Sequence, residues 1–189
     1  MCIRDRLEGY LSKVTFQRLL TLRSELAQTK HQLAGPDLGE NNPSTKLQYM
    51  PAYLRYSGII YQRSNFAELF PRARGKKVLI ISALYGVLDA QDTIQKYDLK
   101  MDVALPNGTR LYTWWKQNLL GEILKEYFRE SKPERIHDLL PNSYRKALYP
   151  WPPREFIKNK RFIAYEELGQ GQGSQWKRGD ILRELLISN

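Results

Sequence analysis

Apolar and polar positions along this chain follow two periods, and the changes of period mark out its elements. Over residues 7–33, Leu19, Leu22, Leu26 and Leu33 recur at helical spacing with Arg18, Arg23 and Glu25 between them, which predicts a helix. Gly35 and Pro36 end it, since proline has no amide to continue the ladder. Residues 35–50 read as a polar loop rich in Gly, Asn, Pro and Ser. A short helix or turn at 51–56 leads into Gly58-Ile59-Ile60-Tyr61, and 65–70 reads as helical. The clearest strand is 77–82. Its four consecutive aliphatic residues, Val78 to Ile81, suggest burial on both faces, as in a parallel sheet.

Downstream, 109–130 predicts one long amphipathic helix with the stripe Leu111, Trp115, Leu119, Ile123 and Tyr127, stopped by Ser131-Lys132-Pro133. A second strand follows at 135–140, a helix at 142–148, and a stiff proline-rich connector at 149–153. A third strand is expected at 160–165, a flexible glycine-rich loop at 169–174 and a closing helix at 179–187. Strand and helix alternate. The expected fold is therefore α/β: a single domain with a mostly buried central sheet covered by helices. No internal repeat or second domain is visible.

Composition narrows the setting. Hydrophobic residues make up 42% of the 189 positions, enough for a real core. No apolar run approaches the roughly 18 residues that span a bilayer, so no membrane partner is expected. The first six residues read as a leader foreign to the natural protein, with 7–189 as the domain proper. Cys2 falls in that leader. It is the sole cysteine, so no internal disulfide or thiolate metal cluster is expected, and a reducing, cytoplasmic location fits. Thirty Lys and Arg against twenty Asp and Glu give a net charge of +10, which favours polyanions such as DNA or other nucleic acid.

The candidate chemistry lies in two places. Ser82, Tyr85, Asp89, Asp92 and Tyr97 follow the main strand, and ligands of open α/β sheets sit beyond the carboxyl ends of strands. Cations gather in three groups. Arg72, Arg74, Lys76 and Lys77 precede the strand. Arg145, Lys146, Arg154, Lys158, Lys160 and Arg161 are interleaved with Tyr149, Trp151 and Phe156, a mixture suited to phosphates and bases. Trp176, Lys177 and Arg178 follow the glycine-rich loop, with Arg183 beyond. Arg178 is expected to open the last helix and grip phosphate beside its terminal amides, converging with Ser82 and Tyr85. Asp89, Asp92, Asp98 and Asp102 read as polar loop residues rather than as a metal site, and His137 as structural. No metal or cofactor is expected.

The stretch from Ser82 to Tyr97, Ser-Ala-Leu-Tyr-Gly-Val-Leu-Asp followed by tyrosine, resembles the YaaA peroxide-stress family. Weaker matches follow the family order over roughly 50–187: Tyr56-Ser57-Gly58-Ile59-Ile60-Tyr61, Leu111-Tyr112 with Trp115, Ile136 to Leu139 with Tyr144, and Arg178-Gly179 with Arg183. The chain departs from the family pattern at Asp89-Ala90, Lys96, Lys100 and Ser143, and its lysine-bearing first strand is not found, which suggests a missing N-terminal strand. The resemblance implies a cytosolic protein that limits damage by hydrogen peroxide, lowers reactive iron and binds DNA, partly through a helix-hairpin-helix-like element. Only 19–56 could hold that element, and Gln32 to Pro36 makes a poor hairpin. The alternative is an enzyme acting on a nucleobase or nucleotide at the 82–98 motif.

Overall fold

The computed structural model describes residues 6–29, 50–94, 97–158, 161–165, 168 and 171–188. All but the last residue of the polar loop expected at 35–50, the proposed hairpin at 32–36, Leu33, Lys96 and Lys160 lie outside the described residues.

The first helix, α1, covers Lys13–Thr29. Ser12 starts it, with its hydroxyl accepting from the Thr15 amide at 3.2 Å. Leu19, Leu22 and Leu26 are buried, as their spacing requires. Next come β1 (Met50–Pro51) and three short helices, α2 (Ala52–Arg55), α3 (Ile59–Arg63) and α4 (Phe66–Leu69).

The centre of the core is a hairpin of β2 (Leu79–Ser82) and β3 (Gly86–Asp89). Residues 80–90 are buried throughout, so the aliphatic run is covered on both faces. The expected parallel partner is replaced by an antiparallel one, with Leu79 opposite Asp89 and Ser82 opposite Gly86. A three-residue turn makes this possible. Gly86 leaves it at φ +72°, where a Cβ would come within 3.0 Å of both Trp115 and Leu120. Trp115 buttresses the turn by donating its indole N–H to the Ala83 carbonyl at 2.8 Å. A small strand, β4 (Thr93–Ile94), pairs antiparallel with β1.

The expected single helix over 109–130 is two, α5 (Leu111–Gln117) and α6 (Leu120–Ser131). Leu119, placed on the apolar stripe by periodicity, sits between them at φ 60° and is 46% exposed, while Leu111, Trp115, Ile123 and Tyr127 are buried. A leucine in the left-handed region costs about 1–2 kcal/mol. The break re-aims α6 so that Gly121 lies directly against the Leu148 carbonyl.

Then β5 (Ile136–Asp138), α7 (Asn142–Leu148), α8 (Arg154–Lys158) and β6 (Phe162–Ala164) follow, with β5 and β6 parallel, Ile136 beside Phe162. Their crossover carries helices, as parallel pairs need. The last helix, α9, covers Gln172–Ile187 and packs on α3. The fold is α/β with small sheets: the described strands form three two-stranded units, of which β2–β3 lies in the hydrophobic cluster, while β1 and β6 are half-buried.

Candidate functional site

The antiparallel hairpin sorts the sequence candidates by end. At its turn, Ser82 Oγ accepts from the Tyr85 amide at 3.0 Å and lies 2.8 Å from the Tyr97 hydroxyl. Tyr97 in turn lies 2.6 Å from the Tyr56 hydroxyl, which follows α2. The Tyr97 ring meets Tyr85 edge-on at 5.7 Å. Tyr61 of α3 packs on Tyr56, and Tyr144 of α7 is an electrostatic neighbour of Tyr61 and Tyr97. So Ser82, Tyr85 and Tyr97 come together, walled by tyrosines that the candidate set lacked. Tyr56, Tyr61 and Tyr144 were visible only as parts of weaker motifs.

This cluster is polar but poorly suited to proton chemistry. Burial holds Tyr97 well above its ordinary value of 10.0, and burial followed by the neighbouring Tyr97 does the same for Tyr56. Burial likewise raises Tyr61. Each phenol stays protonated near neutrality and can donate a hydrogen bond.

Asp89 and Asp92 lie at the other end of the hairpin and do not join the cluster. Asp92 Oδ2 accepts from the Asp89 amide at 2.8 Å, its Oδ1 accepts from the Arg6 amide at 2.8 Å, and Asp89 Oδ1 accepts from the Gln91 amide at 2.9 Å. The Asp89 and Gln91 amide bonds close the turn, and the Arg6 bond ties the segment before α1 to it. Asp89 also borders a cleft of about 290 Å³ with Arg6, Tyr10, Lys76 and Lys77. Among the described residues, no three His, Cys, Asp or Glu side chains group as a metal site would need. His137 Nδ1 lies 3.0 Å from the Tyr165 hydroxyl, and burial, then Arg135, lowers its pKa below 6.5.

Arg178 lies elsewhere than its sequence position suggests. The closing helix begins at Gln172, so Arg178 lies inside it rather than at its start, and it is only 2% exposed. It donates to Ser174 one turn back. Burial lowers its pKa, and Arg145 acts in the same direction while Asp138 opposes. Arg145 pairs with Asp138 at 3.1 Å, and Trp151 donates its indole N–H to the same carboxylate at 3.2 Å. Burial nevertheless raises the Asp138 pKa. This group abuts the tyrosine cluster across α7, which contributes Tyr144 to one and Arg145 to the other.

The other cations are distributed over the surface. Lys158, Lys177 and Arg183 are exposed, as are Arg72, Arg74, Arg154 and Arg161. Lys76 caps the end of α9, donating to the Leu185 carbonyl at 2.5 Å and to the Ser188 carbonyl. Lys77 lies over the Tyr10 ring at 4.0 Å. The α5–α7 contact carries a more ordered arrangement. Lys146 of α7 lies 5.4 Å from the centre of the Tyr112 ring on α5, and Lys116 of α5 lies 4.5 Å from the centre of the Tyr149 ring just after α7. Lys116 was absent from the candidates. Its spacing of four from Tyr112 on a helix was the available signal. Among the described residues no helix is long and apolar enough to cross a membrane.

Comparison with known proteins points to the same family. The model of the family described as peroxide stress protein YaaA matches residues 4–178. A UPF0246 protein of Ligilactobacillus salivarius is 31% identical over 153 residues, covering 74% of this chain and 58% of the relative. One from Idiomarina loihiensis is 29% identical over 161 residues, covering 72% and 62%. One from Shewanella halifaxensis is 40% identical over 97 residues, half of this chain and 37% of the relative. The chain thus spans about three-fifths of the length of the first two relatives. A family match that runs through the hairpin, the tyrosine cluster and the buried Arg178 leaves one conclusion: the chain belongs to the peroxide stress protein YaaA family.

Proposed function

We propose that this protein serves the peroxide stress response in the cytoplasm by holding nucleic acid, most directly DNA, and so limiting oxidative damage. The observation that carries the reading is the exposed α5–α7 face, where Lys116 and Lys146 are each held over a tyrosine ring. Fixed cations beside aromatic surface suit a phosphate backbone with bases attached. The net charge of +10 adds attraction at longer range. Arg145 and Arg178, by contrast, are drawn into internal contacts and serve the fold around Asp138 and Ser174.

The tyrosine cluster favours binding over catalysis. Ser82 Oγ meets a phenol and a backbone amide, and neither takes a proton at neutral pH. A nucleophilic serine needs an adjacent base.

The test is a titration with duplex and single-stranded DNA at several salt concentrations. Binding should weaken with salt, and Lys116→Gln with Lys146→Gln should reduce the slope on duplex by about 2, near 0.9 for each phosphate contact. Absence of salt-dependent binding by the unsubstituted protein, or identical binding by the double variant, would overturn the reading.

A further inference from the structure

The α5–α7 face has a feature that a plain basic surface lacks: its two cation–aromatic pairs run in opposite senses. Helix α5 supplies the cation Lys116 to Tyr149, and α7 supplies the cation Lys146 to Tyr112. Tyr112 and Lys116 are one turn apart on α5, and Lys146 and Tyr149 are three residues apart at the end of α7. The four side chains therefore form one compact unit across the helix contact. Tyr149 is 63% exposed and enters the proline-rich connector, so its ring is presented to solvent from a stiff segment.

From this geometry we infer that the face takes a single, unpaired nucleic-acid strand, one base of which replaces Lys116 on the exposed Tyr149 ring while its phosphates receive the released Lys116 and the neighbouring Lys146. The inference rests on the nucleic-acid reading above and names the form of its ligand. At exposed sites a lysine is held to a ring less strongly than a base stacks on one. The displaced ammonium gains a phosphate and releases counterions. A duplex cannot make this exchange, because its base faces are already stacked on one another. It meets the lysines only. An unpaired strand meets both, since the exposed Tyr149 ring lies beside the cation that the phosphate of its base would need.

The experiment uses the full chain and three probes of equal length, about 12–16 nucleotides: a thymidine strand, the same strand with abasic sites, and a duplex. Tyr149→Leu should weaken the thymidine strand about tenfold, the loss of one stacked base. It should leave the abasic strand, the duplex and the salt slope unchanged. Tyr149→Trp should restore affinity, and its indole fluorescence should be quenched by the thymidine strand alone. Lys116→Gln should lower the single-strand salt slope by about 0.7. Circular dichroism and the melting temperature establish that each variant folds. The inference fails if Tyr149→Leu leaves thymidine binding unchanged, or weakens all three probes equally, or if polyglutamate competes as well as the thymidine strand. If the unsubstituted protein binds no probe, the nucleic-acid reading itself falls. If it binds all three and Tyr149 makes no distinction among them, only the exchange falls.

Discussion

Arg23 of α1 donates from Nε to the Tyr85 carbonyl at 2.8 Å, and from a second nitrogen to the Val87 carbonyl at 2.8 Å. The guanidinium also lies 5.7 Å from the centre of the Tyr85 ring. A charged group only 7% exposed thus fastens the first helix to the turn that holds Ser82. The planar fork of the guanidinium sets two donors at the spacing of the two carbonyls while its face lies toward the Tyr85 ring, a geometry that the point charge of a lysine does not fix.

Arg23→Met should therefore destabilise the fold by about 2–3 kcal/mol, since charge-assisted bonds to buried acceptors are lost. Urea denaturation should show a lower midpoint with an unchanged slope. A midpoint equal to that of the unsubstituted protein would mean that the clamp is dispensable.

Two glycines should respond in opposite directions to alanine. At Gly121 a Cβ would stand 2.3 Å from the Leu148 carbonyl oxygen, so α6 and α7 must part. Overpacking against backbone should cost about 2–3 kcal/mol. At Gly173, inside α9, a Cβ meets nothing within 4 Å. There alanine should stabilise by about 0.5–1 kcal/mol through helix propensity. Denaturation midpoints measured side by side check both signs.

The tyrosine cluster should show itself at high pH. Because burial raises the Tyr56, Tyr61 and Tyr97 phenols, the folded chain keeps protons that the unfolded chain releases above 10.0. Stability should hold below that value and fall as pH rises beyond it. Tyr97→Phe removes the hydroxyl between Ser82 and Tyr56. It should cost about 1–1.5 kcal/mol at neutral pH and flatten the alkaline decline. Stability followed by urea from neutral to alkaline pH, with phenolate absorbance as a second signal, checks this.

The legible and hidden parts of this molecule differ for physical reasons. The strand at 77–82, the helices at 142–148 and 179–187 and the burial of Leu19, Leu22 and Leu26 follow from local periodicity. The partner of β2 does not, because a doubly buried strand reads alike whether its neighbour is parallel or antiparallel. Once the hairpin forms, its register sends Asp89 to the end opposite Ser82. The interruption at Leu119 was hidden because the apolar stripe runs straight through it. The close approach of Gly121 to Leu148, a tertiary matter, favours the break. The place of Arg178 differs from the expected one because Gly171 and Gly173 read as loop, whereas the helix begins at Gln172 and includes Gly173. Ser82, Tyr85 and Tyr97 were found from motif and strand end together. Lys116 escaped because its importance lies in the ring it covers on another helix.

Helix α3 has five residues, too few to persist alone in water. It is held because Gly179 lets α9 close onto the Ile60 carbonyl and the Arg63 side chain, with Arg63 and Asp180 paired at 2.6 Å beside the contact. The two segments, more than a hundred positions apart in the chain, therefore form one cooperative unit. In native-state hydrogen exchange the amides of Ile59–Arg63 should open with those of Gln172–Ile187, at a shared free energy. Undocking the closing helix then also loosens the Tyr61 wall of the hydroxyl cluster, so the C-terminal segment governs the order of a site built from residues near the middle of the chain.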